Sequence, residues 1–188
     1  PPPAGTRASS WQDANTAHSF MSFFFRTEYN YKDLYYAEVA ARTDASSRFG
    51  KDHRWGAFWS LGFMWNIKNE AFLTGAQIKL STGTSGNSTI PDYDHLALVS
   101  GNANYLDQAG LFPLQSGNEE LGWEQTWANN IGLSVGLFNR VNVNFDFYHK
   151  KTTNMLMFVP QSYAISGESG HWDNIGAMMN RGVEVAGG

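Results

Sequence analysis

From Val141 the chain alternates strictly: Val141, Val143, Phe145 and Phe147 are apolar, and Asn142, Asn144, Asp146 and Tyr148 between them are polar. A period of two marks a strand with one apolar and one polar face, because successive side chains point to opposite sides of the backbone. The preceding segment repeats it, with Ile131, Leu133, Val135 and Leu137 opposite Asn130, Gly132, Ser134 and Gly136. Only Phe138-Asn139-Arg140 separates the two runs, which predicts a tight hairpin. Ala76, Ile78 and Leu80 oppose Gln77, Lys79, Ser81 and Gly83, and Trp59, Leu61, Phe63 and Trp65 oppose Ser60, Gly62 and Asn66. Near the start, Met21, Phe23, Phe25, Thr27 and Tyr29 oppose Ser22, Phe24, Arg26 and Glu28. After Tyr31-Lys32-Asp33, Tyr35, Ala37, Val39 and Ala41 oppose Tyr36, Glu38, Ala40 and Arg42. These runs predict antiparallel strands, and the fold class is all-β.

The connections between these runs alternate in length. Residues 31–33 and 138–140 are short and 67–74 modest, whereas 45–53, 84–122 and 159–178 are long. In an antiparallel order the short connections share one end and the long ones the other. Outer-membrane barrels have this asymmetry, with strands of about 10 residues, apolar outside and polar inside. The polar face carries Arg26, Glu28, Glu38, Arg42, Lys79 and Asp146, as a polar lumen would. The opposite face carries Trp59, Phe63, Trp65, Phe145 and Phe147, suited to lipid and its interfaces. Val143→Asp or Phe145→Asp should then impair membrane assembly of the intact protein, and Asn144→Asp should be mild. Periodicity alone leaves open a soluble antiparallel β domain whose aromatic residues form a core.

Composition narrows the function. The chain has 188 residues, 13 Lys+Arg against 17 Asp+Glu and a formal net charge of -4, so no basic surplus exists to meet a nucleic-acid backbone. Zero cysteines exclude a disulfide framework, a thiolate nucleophile and any cysteine-based metal site. The opening Pro1-Pro2-Pro3-Ala4-Gly5-Thr6 has neither the basic nor the apolar region of a secretory signal, which suggests a mature product or an excerpt. With a mean hydropathy of -0.38 and no long apolar run, no transmembrane helix is expected, which leaves transmembrane strands untouched.

Catalytic and metal constellations fail residue by residue. Gly83-Thr84-Ser85-Gly86 lacks a residue between Ser85 and Gly86 for a nucleophile elbow, and it has no P-loop lysine. Asp92-Tyr93-Asp94 begins like a calcium loop, but Ala97 stands where the turn needs Gly and Ala103 where a bidentate Glu belongs. His18, His53, His95, His149 and His171 are scattered singly. Glu119 and Glu120 are adjacent and would point apart on an extended strand, and with Glu124 they read as a solvated loop. No catalytic residue, metal ligand or cofactor site is assigned, and the chain is expected not to be an enzyme.

Specific strings add a resemblance. Tyr29-Asn30-Tyr31-Lys32-Asp33-Leu34-Tyr35, then the run from Arg42 to Lys51 with Phe49-Gly50, then Arg54-Trp55-Gly56, resemble the barrel of SusC/RagA-type TonB-linked (TonB-dependent) outer-membrane transporters. In the same order follow Trp65-Asn66-Ile67, Ile78-Lys79-Leu80 to Gly86-Asn87, Leu121-Gly122-Trp123-Glu124-Gln125-Thr126, Asp146-Phe147-Tyr148, Asn174-Ile175-Gly176 and Asn180-Arg181-Gly182-Val183-Glu184. The match runs from about Tyr29 to Glu184. It departs at Trp59, before Ser60, where the family usually has Pro, and the plug and a terminal aromatic strand have no counterpart in this sequence.

The resemblance implies about seven partial-barrel staves, the last beginning near Met179, of a 22-stranded plugged transporter, whose staves alone need about 220 residues. Residues 1–17 would be a poorly matched lead-in loop and 18–188 the partial TonB-dependent-receptor barrel, from its C-terminal part, with long extracellular loops. It further implies import of oligosaccharides, or of peptides, across the outer membrane of a Gram-negative bacterium. The partners would be a SusD-like surface lipoprotein, TonB acting through the plug, the substrate and membrane lipid, with no nucleic acid. Ligand contacts would fall on the long loops, where Tyr93, Tyr105 and Trp172 could stack on sugar rings. Trp123 is left out because its motif position suggests a structural role where loop meets strand. A complete small barrel with a structural or adhesive role, and a soluble β-sandwich binding module, are the alternatives.

Overall fold

A computed structural model describes residues 17–67, 73–105, 108–138 and 140–188. Seven long strands form one antiparallel sheet: β1 (Phe20–Tyr31), β2 (Tyr35–Ser46), β3 (Trp55–Ile67), β4 (Leu73–Asn87), β7 (Glu124–Leu137), β8 (Val141–Thr153) and β11 (Ala177–Gly187). Between β4 and β7 lie β5 (Leu98–Tyr105) and β6 (Gln108–Gln115), which pair with each other. Between β8 and β11 lie β9 (Leu156–Pro160), a one-turn α1 (Tyr163–Ser166) and β10 (Gly170–Asn174), with β9 and β10 paired. The sheet order β1-β2-β3-β4-β7-β8-β11 follows the chain, so each stave pairs with the next stave in sequence.

The seven expected strands are all present. Four details depart from the alternation. β4 continues to Asn87, so the longest excursion starts later than residue 84, and β11 starts at Ala177 rather than near Met179. The excursions expected as plain loops contain the hairpins β5–β6 and β9–β10. Their sequences hide this, because Leu156-Met157-Phe158-Val159 is a continuous apolar run and Leu98-Val99 is an adjacent apolar pair.

Register carries the alternation across the whole sheet. Tyr29, Ala37, Phe63, Leu80, Ile131, Phe147 and Val183 are successive cross-strand partners, forming one apolar row over seven strands. The next row toward the short connections is Tyr31, Tyr35, Trp65, Ile78, Leu133, Phe145 and Val185. Displaced by one residue, on the other face, Asn30, Tyr36, Met64, Lys79, Gly132, Asp146 and Glu184 form a polar row. A slip of one residue would exchange the two faces, so the register is strongly specified.

The first short connection shows how the chain reverses. Lys32 and Asp33 have φ of 53° and 56°, and the Leu34 N–H donates to the Tyr31 carbonyl at 3.0 Å. Two successive left-handed residues make the type I′ geometry whose twist matches the flanking strands. Asn30 supports it by accepting the Asp33 N–H at 3.0 Å and donating its Nδ2 to Asp33 Oδ1 at 2.7 Å.

The apolar face is bare. Phe25 is 61% exposed, Val183 57% and Val185 69%, and no second sheet of the described residues packs on it. The buried apolar residues are instead Phe49, Phe58, Ile90, Leu121 and Trp123, all at the end with the long connections. A β-sandwich buries its apolar sheet face, so this arrangement overturns the soluble-sandwich alternative. The seven-stranded sheet is open, with β1 and β11 as its two edges among the described residues, which also disagrees with a closed small barrel.

Candidate functional site

The outward face is banded. At the short end Tyr35 stacks with Trp65, ring centroids 6.1 Å apart at 16°, and at the long end Phe23 stacks with Trp55 at 6.4 Å and 12°. Trp55 and Trp65 are ten residues apart on β3. At about 3.3 Å per residue and a strand tilt of about 40°, the two aromatic levels stand about 25 Å apart. That is the height of the lipid-facing band of a membrane barrel.

The band is also diagonal. On β1 uncharged outward residues reach Met21, whereas on β11 they end at Val183, which shares a row with Tyr29, because Arg181 comes next and only then Met179. The uncharged stretch thus shortens by the eight residues from Met21 to Tyr29 over six strand-to-strand steps. A tilt of about 40° with strands about 4.8 Å apart requires a drop of roughly 1.2 residues per step. The sequence therefore encodes strand tilt as well as inside and outside.

The inward face is ionic. Arg26 binds both Glu28 and Glu38, its Nε lying 3.1 Å from Glu38 Oε1. Arg42 Nε donates to Asp44 Oδ1 at 2.6 Å and its NH2 group to Ser22 Oγ at 3.3 Å. Gly132 separates Lys79 from Asp146 in their row, and a Cβ there would stand 2.7 Å from Asp146 Oδ1, so glycine leaves the space the carboxylate uses. A cavity of about 510 Å³ opens near the loop end, its walls including Arg42, Asp44, Ser60 and Asn87.

At the loop end the three long connections are tied together. Trp123, 8% exposed, packs on Phe49 at 5.2 Å and edge-on to Phe58 at 5.4 Å, and its Nε1 donates to the Arg54 carbonyl at 2.9 Å. Gly50 lies so close to the Glu119 carbonyl that a Cβ would overlap it. Asn174 closes a reciprocal pair with Gly122, accepting its N–H at 2.7 Å and donating to its carbonyl at 2.9 Å. Asn118 donates to the Trp172 carbonyl and to Asp173 Oδ1, both at 3.1 Å, and Ser116 donates to Glu168 Oε1 at 2.6 Å. Glu124 accepts the Leu156 N–H at 3.1 Å, which docks β9 on the start of β7. The strings that carry the resemblance, around Phe49-Gly50, Arg54-Trp55-Gly56, Leu121 to Glu124 and Asn174, thus meet one another in space.

A second clip joins residues 47–54 to the long excursion. Arg48 Nε donates to Asp92 Oδ1 at 2.8 Å, and His18 Nδ1 lies 3.5 Å from the same oxygen. The hydrogen bond from Arg48 holds the Asp92 carboxyl below the usual aspartate value of 3.8, with the charges of Arg48 and His18 adding to it against the effect of burial. Asp94 is raised instead, first by burial and then by the negative charge of Asp92. Because the folded-state pKa of Asp92 is depressed, its contribution is complete above pH 3.8 and is lost as pH falls through the lowered value. Acid proteolysis of the 88–96 segment should therefore rise below about pH 4, and Asp92→Asn should show that higher cleavage already at neutral pH.

Of the aromatic residues expected to meet ligand, Tyr93 is 38% exposed and has φ of 70°. Its hydroxyl accepts the Ala17 N–H at 3.2 Å and its carbonyl accepts from Leu96 N and Gln115 Nε2. It lines a cavity of about 390 Å³ with His18, Arg48, Arg54 and His95. Trp172 is half-buried in β10, edge-on to Phe158 at 6.1 Å and packed against the Trp123 cluster. Tyr105 ends β5, and its side chain lies outside the described residues. Tyr93 and Trp172 sit on different excursions and line different surroundings. Trp123, Asn174 and Gly50, which tie this end together, were legible only as parts of the resembling strings.

A tilted antiparallel wall with an apolar, aromatic-edged outside and an ionic inside is the wall of a membrane β-barrel. The chain belongs to the TonB dependent receptor-like β-barrel family, whose family model matches residues 1–188. It is 36% identical over 178 residues to the TonB-dependent receptor P39 of Formosa agariphila, covering 91% of this chain and 17% of that protein. It is 32% identical over 189 residues to the TonB-dependent receptor SusC of Bacteroides thetaiotaomicron, covering 91% and 18%. The structure of the RagAB peptide importer in its closed-closed state superposes with a TM-score of 0.82 at 38% identity, covering 90% of this chain and 19% of that one. The chain spans under a fifth of the length of these relatives.

Proposed function

We propose that this chain is part of the barrel wall of an outer-membrane, TonB-dependent importer of a Gram-negative bacterium. In this reading it takes up oligosaccharides together with a SusD-like surface lipoprotein, and TonB supplies energy through a plug domain. The observation that carries the reading is the seven-strand apolar row from Tyr29 to Val183 backed by an ionic face, since only lipid outside and water inside satisfy both. Likeness to SusC supports a place among such receptors. The protein then moves its substrate without changing a covalent bond.

Ligand contacts belong at the loop end, with Tyr93, Tyr105 and Trp172 as the stacking candidates. Likeness to a structure described as a peptide importer favours a second substrate class, peptides. Uptake by cells carrying the intact protein decides between the two. Labelled oligosaccharide should accumulate, deletion of the gene or collapse of the proton gradient should stop it, and a surface lipoprotein should co-purify. Accumulation of labelled peptide alone would select the second class, and uptake that survives loss of the gradient would refute the TonB-dependent reading.

A further inference from the structure

The charges on the two faces of the wall are distributed differently. The inward face mixes signs, with Arg26, Arg42, Lys79 and Lys150 beside Glu28, Glu38, Asp44, Asp146 and Glu184. Among the described outward residues of the seven staves, the basic residues are His149, Lys151 and Arg181, and no acidic residue shares that face. All three lie on the neighbouring strands β8 and β11. His149 is the direct partner of Arg181, and Lys151 follows His149 by one outward position. Direct partners have Cβ atoms about 5 Å apart, and successive outward positions are about 7 Å apart, so the three form one cluster. None of them makes an ion pair among the described residues.

Their height follows from the tilt. The row of Trp65 on β3 reaches Phe145 on β8, so the level ten residues further along, that of Trp55, projects to residue 155. Three steps at roughly 1.2 residues each lower it by about four, to Lys151. The cluster therefore stands at the aromatic level of the loop end, where lipid headgroups begin. Trp127, the direct partner of Lys151 and 50% exposed, marks the same level. Below the cluster the rows of Ile131, Phe147 and Val183, and of Leu133, Phe145 and Val185, are apolar, and all of these but the half-buried Phe147 are exposed.

We propose that His149, Lys151 and Arg181 hold the phosphate of a lipid A-type glycolipid of the outer leaflet, whose acyl chains lie along these apolar rows. The inference rests on the outer-membrane reading and adds a lipid site to it. Lys151 and Arg181 stand on neighbouring strands with no acidic residue among the described ones on their face, and a phosphate between them offsets both charges. Arg181 presents the planar donor fork suited to phosphate oxygens, and Lys151 adds a point charge. No such anion site is expected on β1 to β3, whose outward residues carry no charge.

The test uses the full-length receptor extracted from outer membranes, reconstituted in nanodiscs and examined by native mass spectrometry. Phosphorylated lipid A should be retained about twenty-five-fold more than its enzymatically dephosphorylated form, from roughly a factor of five for each of Lys151 and Arg181. The variant Lys151→Gln/Arg181→Gln, checked for folding by heat-dependent gel migration, should lose that preference, and Lys151→Arg should keep it. Equal retention of the two lipids by the unaltered receptor overturns the proposal and needs no variant. Equal retention of phosphatidylglycerol, or an unchanged preference in the folded double variant, also overturns it. A receptor that fractionates outside the outer membrane refutes the outer-membrane reading itself, a result distinct from a receptor that is in place but indifferent to phosphate.

Discussion

Phe145→Arg in the full-length receptor should abolish most of its assembly into the outer membrane, while Asn144→Arg should leave assembly close to normal. The two residues are adjacent, so composition, strand propensity and distance along the chain are almost the same. What differs is the medium. Phe145 lies on the outward row with Leu133 and Val185, and Val141 to Lys151 brackets the lipid band on β8, so Phe145 stands near its middle. An arginine at such a depth costs about 2–4 kcal/mol, with the lost aromatic packing in addition. Asn144 partners Ser134 and Ala186 on the inward face, where water solvates a guanidinium. The measurement is the fraction of receptor that migrates as a heat-modifiable folded species in outer-membrane extracts. Equal losses for the two variants would mean that the assignment of inside and outside is wrong.

Trp123→Ala should release the loop end while leaving the wall in place. The indole fills the space between Phe49 and Phe58 and also touches Phe20, with ring centroids 6.1 Å apart. Truncating a buried aromatic residue costs about 3–5 kcal/mol, and the Arg54 carbonyl loses its donor, at about 1 kcal/mol more. That penalty falls on the contacts between residues 47–54 and the long excursion. Limited proteolysis should cut residues 88–123 much faster in the variant, with unchanged heat-modifiable migration of the barrel. Trp123→Phe should be intermediate, because it restores much of the packing and none of the hydrogen bond. Unchanged cleavage would show that the other clips suffice without the indole.

The staves were legible in sequence because lipid on one side and water on the other impose alternation on every one of them. Even the turn at Lys32-Asp33 was legible, since two matched apolar runs bracket it. The excursions obey no such constraint. β9 and β10 are held by each other and by the Trp123 cluster, so Leu156 to Val159 gains nothing from alternating. The clips were hidden for another reason: Gly122 and Asn174 are 52 residues apart, and Arg48 and Asp92 are 44 apart. Nothing local in either sequence names its partner. The strings around Gly122 and Asn174 were recognisable as pieces, and their reciprocal hydrogen bonds supply the physical reason for both.

The direct pairing of β4 with β7 and of β8 with β11, across excursions whose hairpins pair only internally, has a consequence for how such proteins diversify. The wall's register does not depend on what an excursion contains, and lengthening a surface loop is cheap, about 0.6 kcal/mol for each doubling. Exchange of segments between genes can therefore graft new tips beyond Gly122 and Asn174 without redesigning the scaffold, provided the glycine, asparagine and tryptophan at the base are kept. The rim can change while the wall stays the same.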